Sequence, residues 1–162
     1  MHIVPAMAVL ALCVAASAAQ AQVRTERNMP LTLALEAAQV AVAECTTKGY
    51  NVTATVVDRA GQVKAVVRAD GAGPHTVDAS RRKAYTSAST RAPTTGMLEN
   101  IQKNPGAQYL HLIDGFLPLG GGMPIRSGQE VIGAIGVGGA PGGHLDDQCA
   151  QAAIAKIQDR LN

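Results

Sequence analysis

Three histidines, His75, His111 and His144, each stand beside a turn or at the start of a helical stretch. A neutral imidazole placed there can ligate haem iron or a transition metal. His144 is followed by Asp146 and Asp147, and His144 with Asp146 suggests a small metal-binding cluster; surface and capping roles are the commoner fate of such residues. The chain has no HExxH, no paired CxxC and no EF-hand loop, which argues against a dedicated zinc or calcium site. It also has no GxSxG elbow, and neither Cys45 nor Cys149 sits in a local motif with a histidine partner, so covalent catalysis has no support. Acid–base chemistry on a small organic acid stays open through Asp70, Asp78 or Glu99, with Arg68 and the glycine loops around the substrate.

The glycine-rich stretches need a separate test. Gly136-x-Gly138 is followed by Pro141 where a dinucleotide fingerprint has its third glycine, and no Gly-Lys-Ser/Thr ending exists, so nucleotide binding is poorly supported. Tight turns and close helix–sheet contact explain these glycines. Free amides at the start of the last helix would also suit an anion, a carboxylate or a propionate. Arg68, Arg81, Arg82, Lys83 and Arg91 gather around the second helix; they suit the carboxylates of a haem, a small organic acid or an acidic partner, or form an ordinary solvated face.

The elements that must position these groups follow from periodicity. Leu35, Ala38, Val42 and Cys45 recur at helical spacing after Thr32, a suitable N-cap, and before Gly49, a suitable C′ residue. Residues 51–58 and 62–68 are rich in Val and Thr around Asp58-Arg59-Ala60-Gly61, predicting an antiparallel hairpin. Residues 76–90 predict a second helix with Val77, Ala84 and Ala88 along its buried side, ended by Pro93. A short helix is expected over residues 95–104, a loop or strand start over 114–122, and a strand over 130–137 pressed close to a helix at Gly133 and Gly136. The last helix spans residues 144–161, with Ala150, Ala153, Ile154, Ile157 and Leu161 buried and its two aspartates favouring the helix dipole. This order lacks regular β-α-β alternation and predicts an α+β domain, an antiparallel sheet covered by helices.

Residues 1–21 contain no Asp, Glu, Lys or Arg, and the apolar run 3–16 has the length of a signal-peptide core, short of the roughly 20 residues that span a bilayer. Ala19-Gln20-Ala21 fits the small-x-small cleavage pattern, placing processing before Gln22 and the product in the periplasm or outside the cell. Leu12 precedes Cys13 where lipid attachment needs a small residue, so no membrane anchor is expected. What remains is a flexible arm, residues 22–30, and a single domain, residues 31–162. All 14 basic and 12 acidic residues lie beyond the leader. A net charge of +2 with one Phe and no Trp makes nucleic acid a poor partner. Cys45 and Cys149 survive processing, either bridged, as an oxidising compartment permits, or as two buried thiols.

Taken in order, Val57-Asp58-Arg59-Ala60-Gly61, Arg68-Ala69-Asp70-Gly71-Ala72, Lys83-Ala84-Tyr85-Thr86-Ser87-Ala88, Ala92-Pro93-Thr94, Gly120-Gly121-Gly122-Met123-Pro124-Ile125 and Val131-Ile132-Gly133-Ala134-Ile135-Gly136-Val137 resemble the GlcG/HbpS-like family of small haem-binding and glycolate-operon-associated proteins. The resemblance implies a profilin-like fold, an antiparallel sheet of about five strands with helices on both faces, and symmetric homo-oligomers up to octamers. It sets the first and last helices side by side, which makes a Cys45–Cys149 disulfide attractive. It further implies an exported haem or iron binder that sequesters or senses, with His75, His111 or Thr94 at the iron and Lys83 or Arg81 at the propionates. A ligand-free structural partner of a membrane sensor is another role open to such a protein. At Gly138-Gly139 the chain departs from the family's more familiar Ser-Gly, removing one polar contact.

Overall fold

The structure, a computed structural model, describes residues 22–161; the proposed signal peptide lies outside the described residues. Its elements are α1 (Leu31–Thr47), β1 (Thr53–Asp58), β2 (Val63–Arg68), α2 (His75–Thr90), α3 (Thr94–Lys103), β3 (Gly122–Ser127), β4 (Glu130–Gly138) and α4 (Gly143–Ile157). Short 3-10 turns lie at Pro105–Ala107, Leu110–Leu112 and Gln158–Arg160. The hairpin forms where expected: the Asp58 carboxylate accepts the amides of Ala60 and Gln62, each at 2.9 Å, and Gly61 takes the left-handed φ of 77° that closes the turn.

The sheet is antiparallel throughout, with strand order β2-β1-β4-β3. It has four strands, not about five. The stretch that would have to supply another, residues 114–120, contains Pro118, and the groups a ladder would use are already taken. Thr86 accepts the Leu117 amide at 2.8 Å, and Arg82 donates to the Phe116 carbonyl. Pro124 lies within β3, which is tolerated because β3 is an edge strand.

Helices cover both faces. On one, α1 and α4 lie together over Ala54, Val56, Ile135 and Val137. The buried side of α1 is Ala34, Ala37, Ala38, Ala41 and Cys45, while Leu35 is 45% exposed. The alanine stripe, not the larger residues, meets the core, because small side chains let the helices approach closely. The α1 helix begins after Pro30, so Thr32 falls in its first turn and does not cap it. Cys45 and Cys149 are bridged, with Cα atoms 5.6 Å apart, inside the usual span. Residues 22–30 are not loose throughout: Met29 is buried, and its amide donates to the Ile132 carbonyl at 2.9 Å.

On the other face lies α2, with a buried side that is mostly polar: Thr76, Ser80, Lys83, Ala84 and Ser87. Val77, expected on that side, is 41% exposed. Hydroxyl pairs knit the helix to β1, Thr53 to Thr76 and Thr55 to Ser80, each at 2.7 Å. Gly136 makes this closeness feasible, since a Cβ there would stand 2.1 Å from the Ser80 carbonyl oxygen and 2.5 Å from the Ala84 amide nitrogen.

Candidate functional site

Two helices begin at the same end of the sheet. The sequence Gly73-Pro74 leads into α2 at His75, and the loop after β4, Gly139 to Gly142, leads into α4. Each histidine ring lies back over a glycine two residues earlier in the chain. A Cβ on Gly73 would come within 2.8 Å of the His75 ring, and one on Gly142 within 2.8 Å of the His144 ring. Both imidazoles line one cleft of about 500 Å3, inside the range of about 300–1,000 Å3 typical of small-molecule and cofactor sites. Leu98, Leu117 and Leu119 give it apolar walls, and Gly138 to Gly143 form its glycine rim.

A buried ion pair also lines this cleft. Lys83 reaches from α2 to the Asp146 carboxylate at 2.9 Å and the Val137 carbonyl at 3.0 Å, with side chains only 6% and 3% exposed. The other Asp146 oxygen accepts the Ala140 amide at 3.1 Å. Burial pushes the Asp146 carboxyl above its ordinary value, against the opposing pull of Lys83 and the Ala140 amide. Asp147 accepts the Gly121 amide at 2.5 Å and the Thr95 hydroxyl. The adjacent aspartates near the start of α4 therefore brace two loops: Asp146 the glycine rim, Asp147 the Gly120-Gly121-Gly122 segment and α3. Close contact between these glycine stretches needs bare backbone, for a Cβ on Gly120 would stand 2.8 Å from the Gly143 carbonyl carbon.

Of the residues singled out from sequence, the cleft collects His75, Lys83, His144 and Asp146. It does not collect the others. His111 is exposed on the Leu110–Leu112 turn and does not line the cleft. Thr94 is fully buried; its hydroxyl donates to the Leu119 carbonyl at 2.6 Å and accepts the Gly122 amide at 2.9 Å, so it serves the fold. Arg81 is paired with Asp78 at 2.7 Å on the surface. Asp146 is engaged by Lys83, and among the described residues no three His, Cys, Asp or Glu side chains converge as metal ligands, so the His144–Asp146 cluster is not assembled. Asp70, Arg68 and Glu99 also lie outside the cleft lining. The sequence reading missed the leucine walls and Thr95. The apolar run Phe116-Leu117-Pro118-Leu119 was the available signal.

The geometry can be set beside known proteins. The HbpS-like family, described as haem degrading proteins, matches residues 29–155. This chain belongs to the HbpS-like family. A double mutant of HbpS from Streptomyces reticuli superposes with a TM-score of 0.80 at 36% identity, covering 94% of this chain and 99% of that one. The Klebsiella pneumoniae protein ORFY gives 0.82 at 26% identity, covering 87% and 98%. A Citrobacter freundii protein, the uncharacterized 15.0 kDa protein of the dhaT-dhaS intergenic region, is 32% identical over 114 residues, which cover 69% of this chain and 80% of its own length. The superpositions show that HbpS and ORFY share this chain's fold. None of the described helices is long and apolar enough to cross a membrane.

Proposed function

We propose that this protein binds haem in the cleft between the first turns of α2 and α4. The observation that carries the reading is the convergence of His75 and His144 on a single cleft, neither ring held by a hydrogen bond or ion pair among the described residues. The lining fits haem: imidazole nitrogens for the iron, leucine walls for the porphyrin, and backbone amides at the helix starts for the propionates, while Lys83 stays paired with Asp146 beneath them. Haem bound there would supply iron redox chemistry; His75 or His144 would hold the iron, the leucines would give apolar contact and the amides would hold the carboxylates. Membership of a family described as haem degrading supports the same ligand. The protein acts outside the cytoplasm after removal of residues 1–21, as a homo-oligomer that sequesters or senses haem, with a membrane sensor as the partner in the second case.

Titration with hemin, followed by absorbance, tests this reading. A saturable Soret shift at micromolar haem is expected, with His75→Ala or His144→Ala weakening binding about tenfold or more and altering the band. The absence of a shift, or a spectrum unchanged in the double His75→Ala/His144→Ala variant, overturns it. The band followed over time with ascorbate in air then separates two outcomes. A stable band marks sequestration, and a decaying one marks breakdown of the bound haem.

A further inference from the structure

A second groove lies at the opposite end of the sheet. Strand β4 runs from Glu130 there to Gly138 at the histidine cleft, about 25 Å at the usual strand rise. The groove, about 490 Å3, is lined by Arg24, Arg59, Arg91, Arg126, Gln129 and Glu130, among others. We propose that it binds a compact multivalent anion, of the diphosphate or di- and tricarboxylate type.

Two of its guanidinium charges are left uncompensated. Arg59 is engaged by two carboxylates, Glu26 at 3.2 Å and Glu130, and Arg24 shares Glu26 at 3.5 Å. Arg126 instead spends its donors on carbonyl oxygens, Arg91 at 2.8 Å and Gln129 at 3.3 Å. Those contacts fix its position and leave its full charge. The Arg91 side chain makes no hydrogen bond or ion pair among the described residues. Glu26 and Glu130 are thus engaged by Arg59 and Arg24, and among the described residues no carboxylate pairs with Arg91 or Arg126, which also line the groove. Planar guanidinium forks suit phosphate and carboxylate oxygens alike.

The backbone supplies a separate argument. Arg91 caps α2 with φ 57° and ψ 27°, and it is the one non-glycine residue with positive φ among the described residues. Glycine is the residue that this left-handed cap favours. An arginine there works against the fold, which points to a use for its side chain.

Isothermal titration calorimetry on the full chain, with inorganic pyrophosphate and citrate as separate probes and sodium chloride as the ionic-strength control, tests the assignment. The measurement is made at about 150 mM salt, where exposed charges more than about 8 Å apart are screened. Saturable binding of at least one probe is expected, and the stronger of the two identifies phosphate or carboxylate as the preferred source. The variant Arg91→Gly should bind about tenfold more weakly, yet melt about 2–4 °C higher than the parent. Gain of stability with loss of binding separates a ligand role from a structural one. No saturable heat with either probe, or unaltered affinity in Arg91→Gly, overturns the proposal.

Discussion

Replacing Lys83 with methionine tests the central electrostatic feature of the cleft. The substitution keeps most of the side-chain volume and removes the ammonium that Asp146 faces at 2.9 Å. What remains is a carboxylate only 2% exposed, still held by the Ala140 amide and repelled by Asp147. Removing one partner of a buried pair costs about 3–5 kcal/mol, because the other is left uncompensated. With an unfolding entropy of about 2.1 cal/mol/K per residue over residues 22–161, this corresponds to a fall in Tm of about 10–17 °C at neutral pH. The pH dependence gives the distinguishing signature. The folded-state carboxyl already titrates above its unfolded value of roughly 4. Its proton-linked contribution to stability is therefore complete below the unfolded value and lost as pH rises through the folded one. Without Lys83 the folded value climbs further, so the deficit of the variant should shrink as pH falls from 7 toward 5. A second change, Asp146→Asn, should recover most of the loss at neutral pH. Thermal unfolding by circular dichroism across pH reads all three; a loss below about 3 °C, one that does not vary with pH, or a double variant no better than the single one refutes the reasoning.

Other expectations are more local. Reducing the disulfide, or replacing Cys45 and Cys149 with alanine, opens a loop of 104 residues and should cost about 3–5 kcal/mol, read from urea midpoints with and without reductant. Gly136→Ala drives a methyl into the α2 backbone at 2.1 Å from the Ser80 carbonyl and should cost about 3 kcal/mol or more, visible as lost soluble yield and a lowered urea midpoint. Thr94→Val removes a hydroxyl that bridges Leu119 and Gly122; about 1–3 kcal/mol should be lost while the hemin spectrum is unchanged, and an altered Soret band would return Thr94 to the ligand site.

How much of this was legible in the sequence depended on how local the cause was. The hairpin was readable because Asp58 and Gly61 close it within four residues, and Gly49 ends α1 as expected because its φ of 80° needs no distant partner. The histidine cleft was half readable, since Gly-Pro-His and Gly-Gly-His each announce a helix start, but their meeting depends on the sheet between them. The inward side of α2 was read in part: Ala84 and Ala88 are buried as expected, but hydropathy favoured Val77, whereas the helix buries Thr76 and Ser80 against hydroxyls of β1 more than 20 residues away. Asp147 was read as a dipole residue; its partners Gly121 and Thr95 stand 26 and 52 residues distant, beyond any periodicity. On α1, Ala38 and Cys45 were read and are buried, but Ala34, Ala37 and Ala41 escaped notice because a stripe of small residues looks weakly amphipathic while packing tightly.

The bridge between α1 and α4 also decides what happens when the chain is cut. The segment between α3 and β3 exposes Tyr109 and Leu112, 65% and 66% accessible, and offers them to a protease. Cleavage there separates His75 from His144 in sequence, one histidine on a fragment carrying α1, β1, β2, α2 and α3, the other on a fragment carrying β3, β4 and α4. Cys45 and Cys149 fall on opposite fragments, so the two pieces stay covalently tied, and β1 remains paired with β4. A nicked molecule should run as one band without reductant and as two with it, keeping both walls of the cleft together until the disulfide is reduced.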